Sequence, residues 1–210
     1  MGLDRELVVR AGLRLLDEVG LEGLTLRRLA KELGVKAPAL YWHFENKQEL
    51  LDEMATTMLR DLVEEMEPPG HDEPWTEYVV GSAWDLRRML LGYRDGAKVF
   101  SGTYLTDDSL LEWMEIPLRK LIDAGFSLRD AVHGYSTIYS YTIGFVIEEQ
   151  GVHPRPGEPD ERYDLARRAK RIDAEKYPLA LAAGEELFTG YDERFEHGLR
   201  LIVSGIERSI

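Results

Sequence analysis

The chain has 210 residues, of which 26 are basic and 39 acidic, giving a net charge of −13, and it contains no cysteine. Its length suits one domain or two small ones, and a composition of 44% hydrophobic and 31% charged residues is that of a globular protein. The composition excludes disulfides, thiol catalysis and cysteine-ligated zinc, and no apolar run approaches the roughly 18 residues that span a bilayer. The amphipathic N-terminus lacks the apolar core and cleavage site of a signal peptide, so we expect a cytoplasmic protein that does not associate with membranes.

Charge is unevenly distributed along the chain. Residues 1–50 carry eight basic and eight acidic side chains, so the remaining 160 residues hold the whole net charge of −13. Within residues 24–48, five basic side chains stand against two acidic ones. A neutral-to-basic head on an acidic body is typical of a DNA-binding domain joined to a second domain.

The spacing of apolar residues predicts helices along almost the whole chain, so we expect an all-α fold. The first helix should cover residues 4–19, with Gly20 and Gly23 ending it, and Gly12 on its apolar face should allow a neighbouring helix to approach closely. A later helix should begin after Asn46, a suitable N-cap, and continue to about residue 66.

Residues 24–44 carry a short helix, a glycine turn and a second short helix, which is the spacing of a helix-turn-helix unit. Thr25 is the expected N-cap of the first short helix. Gly34 is expected to adopt a left-handed conformation at the end of that helix. The second short helix should cover residues 37–44.

The second short helix is suited to enter the major groove of DNA. Small residues at 37–39 allow close approach, and the exposed side chains of Tyr41 and His43 can donate hydrogen bonds to phosphate oxygens. We assign Trp42 largely to packing. Two short helices joined by a glycine also occur in many helical bundles, where the aromatic triplet 41–43 would simply belong to the core.

The region that follows is also predicted to be helical. The proline-rich stretch 67–74 is a candidate linker, and the proline- and glycine-rich stretch 151–160 is predicted to lack regular structure. We therefore divide the chain into a helix-turn-helix domain at 1–46, a connecting helix at 47–66 and a larger effector-binding and dimerisation domain at 67–210. Its helices are predicted over residues 75–92, 95–101, 107–123, 127–149, 161–175 and 185–208.

Residues 20–55 resemble the N-terminal domain of the TetR family of bacterial transcriptional repressors, in the sequence GLEGLTLRRLAKELGVKAPALYWHFENKQELLDEMA. The LYWHF pattern followed by NK and LL is especially similar to the tetracycline-repressor branch of that family. Three further stretches resemble the regulatory core of the same branch: YRDGAKVFSGT, AGFSLRDAVHGYSTIYSYTIGFVIEEQ and RFEHGLRLIVSGIER. The resemblance covers nearly the whole chain except residues 151–182.

The resemblance implies a regulator that binds a palindromic operator in double-stranded DNA as a homodimer and is released by a small-molecule effector. In the tetracycline-repressor branch, polar side chains at the positions of Ala37 and Ala39 read bases. Alanine offers only apolar contact, for example to a thymine methyl group, so we expect a different operator sequence. The implied DNA contacts are Thr25, Arg27, Lys36, Ala37, Pro38, Ala39, Tyr41, Trp42, His43 and Lys47.

The middle of the chain is rich in aromatic residues interleaved with serine and threonine, a composition that suits a mostly apolar pocket with a few polar groups. Any single one of these rings is more readily explained as part of the core. The resemblance places an effector pocket here in each subunit. The implied pocket residues are Val63, Ser82, Leu86, Phe100, Thr103, Trp113, Ile116, Tyr135, Tyr139 and Glu148.

The position that carries a metal-binding histidine in that branch is Phe100 here. Without the imidazole, this position makes no direct bond to a metal. Carboxylate and water are then the ligands left to hold Mg²⁺ weakly, and the use of magnesium stays open. Only the resemblance assigns Glu148 to the pocket, since an acid near the end of a long helix is ordinarily solvated. We expect Glu149 beside it to be solvated. We expect no cofactor, no dedicated metal site, and a planar or aromatic effector rather than a tetracycline–magnesium chelate.

The helices at 128–149 and 185–208 carry recurring small residues that permit close approach, and the resemblance pairs them in a four-helix bundle between two subunits. Asp95 and Lys98 are interpreted as an ion pair at a helix end, and no enzyme motif is present. Three classes of function stay open: a ligand-responsive repressor or activator, an enzyme on an all-α scaffold, and a dimeric interaction module with weak or no specific DNA binding. The sequence favours the first.

Overall fold

The structure, a computed structural model, describes residues 3–66, 70, 72–155 and 160–208. Within these ranges all regular elements are helical, in eleven α-helices and two short 3₁₀ helices, which confirms the all-α fold class. No helix in the described ranges is long and apolar enough to cross a membrane.

The helices follow one another in a simple order. The two 3₁₀ helices are Asp108–Leu110 and Glu161–Tyr163. The α-helices are α1 Arg5–Gly23, α2 Leu26–Glu32, α3 Ala37–Tyr41, α4 Lys47–Glu65, α5 Trp75–Leu91, α6 Gly96–Phe100, α7 Leu111–Asp123, α8 Leu128–Val152, α9 Leu165–Arg171, α10 Pro178–Phe188 and α11 Tyr191–Glu207.

The predicted local signals of the N-terminal helices are confirmed. Thr25 caps α2 by accepting a hydrogen bond from the backbone N–H of Arg28 at 3.2 Å, and Asn46 caps α4 in the same way. Gly34 has a φ of 66°, in the left-handed region. A Cβ atom at Gly12 would lie 3.2 Å from the sulfur of Met54, so glycine allows α1 and α4 to pack closely.

The last residue of α1 is Gly23, one of the two glycines predicted to end the helix, and the other, Gly20, adopts a φ of 70° and kinks it. One boundary in this region differs from the prediction. Helix α3 ends at Tyr41 rather than at residue 44. The backbone N–H groups of His43 and Phe44 both donate to the carbonyl of Leu40 at 2.9 Å, so the chain turns there and directs the Phe44 ring inward.

The C-terminal helices also differ from the prediction. The helix expected over 185–208 is two helices, α10 and α11, which Gly190 separates with a φ of 59°. The helix expected over 161–175 is a 3₁₀ turn followed by the shorter α9. Arg168 on α9 donates to the carbonyl of Ala180 at 2.7 Å, so α9 and α10 form a hairpin.

The predicted linker and the stretch predicted to lack regular structure lie partly outside the described residues. Of the stretch 67–74, only residues 70 and 72–74 are described, so the boundary proposed between 66 and 67 remains a prediction. Residues 156–159 of the second stretch are likewise outside the described ranges, and its first two residues belong to α8, which corrects the prediction there.

Helices α5 and α8 form the centre of the larger region. One buried apolar cluster joins the N-terminal helices and α4 to α6 and to α8, where it includes Val146. A second cluster packs α5 against α8 and α11 around Phe195, and a third surrounds Leu121 and Phe126 at the end of α7. The space between α5, α7 and α8 is therefore enclosed by well-packed helices, and it is here that the pocket was predicted.

Candidate nucleic-acid interface and ligand pocket

The tip of α3 exposes two large aromatic side chains. Leu40 and Phe44 are fully buried in the core of the N-terminal helices, and the residues between them point outward. The exposed fraction is 50% for Tyr41 and 89% for Trp42. The assignment of Trp42 to packing was therefore wrong, because the turn after α3 gives the inward positions to Leu40 and Phe44 alone.

The remaining predicted DNA contacts lie on α2 and α3, at the ends of these helices and, for Lys47, at the start of α4. Four of them are exposed, and four are half-buried. The exposed ones are Thr25, Arg27, Lys36 and Pro38, and the half-buried ones are Ala37, Ala39, His43 and Lys47. No described contact of the chain itself occupies the exposed face of Trp42, which leaves this tip free for a partner.

Helix α1 holds the end of α3 in place through Arg5. Its guanidinium donates to the carbonyl of His43 at 2.7 Å, pairs with Glu49 at 3.1 Å and lies 4.5 Å from the centre of the Phe44 ring. The backbone N–H of Glu45 and the Arg5 guanidinium together hold the pKa of Glu49 below its ordinary value. Sequence reasoning missed Arg5, because its partners lie about 40 residues away and no local pattern indicates them.

Lys47 is used within the N-terminal region. Its ammonium donates to the carbonyl of Leu21, next to the kink in α1, at 2.6 Å. A lysine has three donors, so this bond leaves two for a phosphate group. The structure thus gives Lys47 a structural role, and its DNA contact stays a prediction.

The turn between α5 and α6 joins the N-terminal helices to the larger region. The backbone N–H of Arg94 donates to Asp17 at 2.8 Å, and that of Leu21 donates to Asp95 at 3.0 Å. Asp95 also pairs with Lys98 at 2.8 Å, which confirms the predicted ion pair. The Lys98 ammonium and the Leu21 N–H lower the pKa of Asp95 against the opposing effect of its burial.

Gln150 of α8 holds the same turn from the opposite side. Its side-chain nitrogen donates to the carbonyls of Leu90 and Tyr93 at 3.1 and 2.8 Å, and its oxygen accepts from the N–H of Ala97 at 3.2 Å. The turn is therefore fixed between α1 and α8. Gln150 was not singled out in the sequence, since a buried amide near a helix end has no spacing signature.

The loop before α7 is bound along α4. Arg60 pairs with Asp107 at 2.8 Å, and the N–H of Thr106 donates to the Thr56 hydroxyl at 2.9 Å. Hydrogen bonds from Ser109 and then from Arg60 lower the pKa of Asp107 to about 2. The start of α7 is thus tied to α4, which packs against the N-terminal helices.

The predicted pocket is present as a small, partly open cavity between α5, α7 and α8. Its volume is about 10 Å³, which is room for a single water molecule. Trp113 lies between Tyr135 and Tyr139, in edge-to-face contact with both rings at centroid distances of 6.1 and 6.4 Å. Five of the predicted pocket residues line the cavity: Ser82, Leu86, Trp113, Tyr135 and Tyr139.

The other five predicted pocket residues do not line the cavity. Phe100 is buried in the main core and approaches it only through the ring of Tyr139, at a centroid distance of 6.5 Å. The Thr103 hydroxyl donates to the carbonyl of Phe100 at 2.8 Å. Glu148 is exposed, and Val63 and Ile116 are half-buried against apolar neighbours.

A buried ion pair lies where α5, α8 and α11 meet. The Arg87 guanidinium is bound by both carboxylate oxygens of Glu149, at 2.8 and 3.1 Å, and by Asp192 at 2.8 Å. The same guanidinium lies over the rings of Trp84 and Phe195. The expectation that Glu149 is solvated was wrong, because its face of α8 turns towards a cation 62 residues earlier in the chain.

The small residues of the predicted dimer helices fall into two groups. Gly134 and Gly198 serve contacts within the chain, against Ile206 and against the hydroxyl of Tyr141. A Cβ atom at Gly144 would meet nothing within 4 Å. The remaining small positions are exposed on α8 and α11, and they are Ser136, Ser140, Ser204 and Gly205. This second group is available to a partner.

Comparison with known proteins assigns each of the two regions to a protein family. Residues 8–54 match the model of bacterial regulatory proteins of the tetR family, and residues 67–210 match the tetracyclin repressor-like C-terminal domain. The chain is similar to the tetracycline repressor protein class C of Escherichia coli, with 40% identity over 208 residues that cover 98% of the chain and 91% of the relative.

Solved structures show the same similarity. A possible TetR family transcriptional regulator from Streptomyces coelicolor superposes with a TM-score of 0.86 and 35% identity over 99% of this chain and all of the other. The Streptomyces coelicolor TetR family protein ActR in complex with actinorhodin superposes with a TM-score of 0.81 and 28% identity over 100% and 99% of the two chains. The chain therefore belongs to the TetR family of bacterial regulatory proteins and is a ligand-responsive transcriptional regulator.

Proposed function

We propose that this regulator is a homodimeric repressor that reads its operator through α3 and releases it when an aromatic small molecule occupies the pocket. The observation that carries the proposal is the tip of α3, where fully buried Leu40 and Phe44 hold Tyr41 and Trp42 outward. A large apolar side chain exposed to this degree at the end of a helix-turn-helix unit marks a site of contact with a partner.

The chemistry of the tip suits the phosphate backbone of DNA. The hydroxyl of Tyr41 and the indole N–H of Trp42 are donors, and Arg27 and Lys36 supply exposed positive charge. This local charge contrasts with the net charge of −13 of the whole chain. Attraction to DNA is therefore confined to one end of the molecule, which favours binding with the helix-turn-helix unit facing the duplex.

The pocket favours a metal-free aromatic effector. Phe100 stands where a metal ligand is expected in the tetracycline-repressor branch, and its ring is buried in the main core. The hydroxyl of Thr103 is bonded to the backbone, and Glu148 is exposed away from the cavity. These residues do not fit a drug–magnesium chelate. The similarity to ActR, solved with actinorhodin, supports an aromatic compound.

The exposed small residues of α8 and α11 support a dimer formed by these two helices. Ser136, Ser140 and Gly144 follow one another at steps of four on α8, so they lie on one face. Leu201 of α11 is 62% exposed in the single chain. A two-fold dimer through these faces presents two α3 helices, and the operator is then a two-fold symmetric sequence.

The link between pocket and operator runs through α4 and the turn between α5 and α6. The pocket-side loop is bound to α4 by Arg60 and Asp107, and the turn is bound to α1 by Asp17 and Asp95. An effector that favours a different arrangement of these contacts shifts the dimer away from the state that fits the operator. Coupling of this kind changes operator affinity by about 5- to 150-fold.

Selection of binding sites from random duplex DNA tests this function. The purified full-length chain should enrich a two-fold symmetric sequence at a fixed moderate salt concentration. Enrichment of a single half-site would contradict the dimeric arrangement. No enrichment by a folded dimer would favour the interaction module, in which the helix-turn-helix unit no longer reads DNA.

A further inference from the structure

The small cavity between α5, α7 and α8 has a distinctive polar lining. Ser82 and Thr142 both donate their hydroxyls to backbone carbonyls one turn earlier in their own helices, at 2.9 and 3.0 Å. Tyr135 and Tyr139 lie one turn apart on α8, and neither hydroxyl makes a hydrogen bond to a described residue. The same is true of the indole N–H of Trp113. The donors available to a ligand are thus two phenols and one indole.

These donors are uncharged, and so is the rest of the lining. No charged side chain of the described residues lines the cavity. Burial raises the pKa of Tyr135 and of Tyr139, so both phenols keep their protons throughout the physiological range. A charged ligand would lose its hydration without gaining an opposite charge, whereas an uncharged ligand with acceptor oxygens would satisfy the free donors.

The cavity is too small for any such ligand. A ligand site has a volume of roughly 300 Å³ or more, and this cavity has about 10 Å³. One of its walls must therefore move. Helices α5 and α8 contribute buried residues along their whole length to the core, so the third wall, which is α7, is the one to consider.

Helix α7 is held at its start by buried Leu110 and by the bonds of Asp107 and Thr106 to α4, but its first turn, which carries Trp113, has no buried residue. Its buried residues, Pro117 and Leu121, both lie in its second half, while Leu111 and Met114 of the first turn are exposed. Pro117 has no amide hydrogen to donate to the carbonyl of Trp113, four residues earlier. The first turn of α7 is therefore joined to the rest of the helix by one hydrogen bond fewer than usual.

We infer that the first turn of α7 is a lid, and that the cavity opens by displacement of the Trp113 indole to take an uncharged aromatic ligand whose carbonyl oxygen accepts hydrogen bonds from Tyr135 and Tyr139. This inference rests on the proposed function, since it concerns the ligand of the same pocket. The aromatic ring of the ligand takes the place of the indole between the two phenols. The effector class is then a neutral aromatic ketone or quinone.

Three matched compounds test the chemistry of the site by equilibrium dialysis with the full-length protein. They are 9-fluorenone, fluorene, which lacks the carbonyl, and 9-fluorenone-2-carboxylate, which adds a charge. Fluorenone should bind about three- to tenfold more tightly than fluorene, the gain expected from a hydrogen bond to otherwise unpaired donors. The carboxylate should bind more weakly than fluorenone. Equal affinity for fluorenone and fluorene would overturn the inference.

Variants of the two tyrosines test the donors. Replacing both hydroxyls, in Tyr135→Phe with Tyr139→Phe, should abolish the preference for fluorenone while leaving the affinity for fluorene unchanged. A merely structural role of the tyrosines would lower both affinities together. A preference that persists in the double variant would overturn the assignment of the two hydroxyls.

Variants of α7 test the lid, and they are expected to act in opposite directions. Trp113→Ala removes the side chain that fills the site and should tighten binding of fluorenone and fluorene about tenfold, because the open state no longer has to displace the indole. Pro117→Ala restores the missing donor and should weaken both. Leu111→Ala, in the same turn but exposed, is the matched control and should change neither. Unchanged affinities in Trp113→Ala would overturn the lid.

The same preparations separate this inference from the proposed function. Fluorenone that binds with the expected preferences but leaves operator affinity unchanged contradicts the regulatory role of the pocket and supports its chemistry. A second outcome is that another compound releases the operator and that the tyrosine and Trp113 variants change the binding of neither that compound nor fluorenone. This outcome overturns the inference and supports the regulatory function.

Discussion

The head, by which we mean α1–α3, and the pocket present their chemistry in opposite ways. In the head, Leu40 and Phe44 are fully buried and hold Trp42 outward, so the exposed side chain stands on a packed base. In the pocket, Tyr135 and Trp113 are in edge-to-face contact beside a cavity with room for one water molecule. The exposed tip of the head is already formed in the single chain, whereas the cavity is too small for a ligand of ordinary size.

This difference suits a regulator. A preformed reading surface loses little conformational entropy on binding, so its affinity is set mainly by how the two heads are placed. A pocket filled by side chains gives the ligand a state to displace, and a ligand shifts an equilibrium only by its differential affinity for the two states. In the proposed function, the head is therefore the constant part and the pocket is the part that changes.

The largest expected effect comes from removing the base of the reading surface. Phe44→Ala should lower the free energy of unfolding by about 3–5 kcal/mol, because it empties a fully buried aromatic position. Urea denaturation followed by circular dichroism measures this loss. Trp42→Ala is the control, and it should change the free energy of unfolding by less than about 0.5 kcal/mol. Similar losses in the two variants would contradict the division between base and tip.

A smaller loss is expected at the buried ion pair of the larger region. Glu149→Ala removes the bidentate partner of the Arg87 guanidinium, at 5% side-chain exposure, and leaves Asp192 to balance its charge, so it should cost about 1.5–3 kcal/mol of stability. Glu148→Ala, one residue earlier and exposed, should cost less than about 0.5 kcal/mol. Thermal and urea unfolding distinguish the two variants. A larger loss of stability in Glu148→Ala would contradict the assignment of Glu149 as the buried partner of Arg87.

The next effect concerns DNA rather than stability. Trp42→Ala should weaken binding to the selected operator at least tenfold, about 1.4 kcal/mol, by removing a contact that the head holds ready. Leu179→Ala on α10 is a matched control, since Leu179 is 83% exposed but far along the chain from the head. It should leave operator affinity unchanged. Fluorescence anisotropy with labelled duplex at fixed salt gives both values, and equal affinities of the two variants would remove Trp42 from the interface.

The smallest effect is a change in acid stability at the loop that joins α4 to the lid. The pKa of Asp107 is lowered from 3.8 to about 2, so its contribution is present above pH 3.8 and is lost as the pH falls through about 2. Asp107→Asn should therefore reduce stability at neutral pH, and the difference from wild type should vanish between pH 4 and pH 2. Asp108→Asn, the exposed neighbour, is the control. A difference that persists at pH 2 would show that the carboxylate charge is not the cause.

The sequence predicted those features of the fold that depend on near neighbours. The caps at Thr25 and Asn46 and the left-handed Gly34 were predicted because each depends on residues three or four positions away. The break at Gly190 was missed, since glycine is tolerated inside helices as well as between them. Spacing alone does not decide which role a glycine takes.

The candidate sites were predicted less completely, because the orientation of a side chain depends on distant contacts. Glu148 and Glu149 are adjacent, and only the position of Arg87 on α5 decides which of them is buried. The orientation of Trp42 depends on where α3 ends, which in turn depends on the burial of Phe44. Five of the ten pocket residues implied by the resemblance line the cavity, and the small size of the cavity is visible only in three dimensions.

The most direct test of the account joins the two regions in one measurement. Operator affinity is measured by anisotropy with and without 9-fluorenone, at a concentration that dialysis shows to saturate the pocket. The account predicts about 5- to 150-fold weaker binding to the selected two-fold symmetric operator, with an equal loss of fluorenone affinity when the operator is bound. Operator affinity that does not change at full occupancy of the pocket would contradict it.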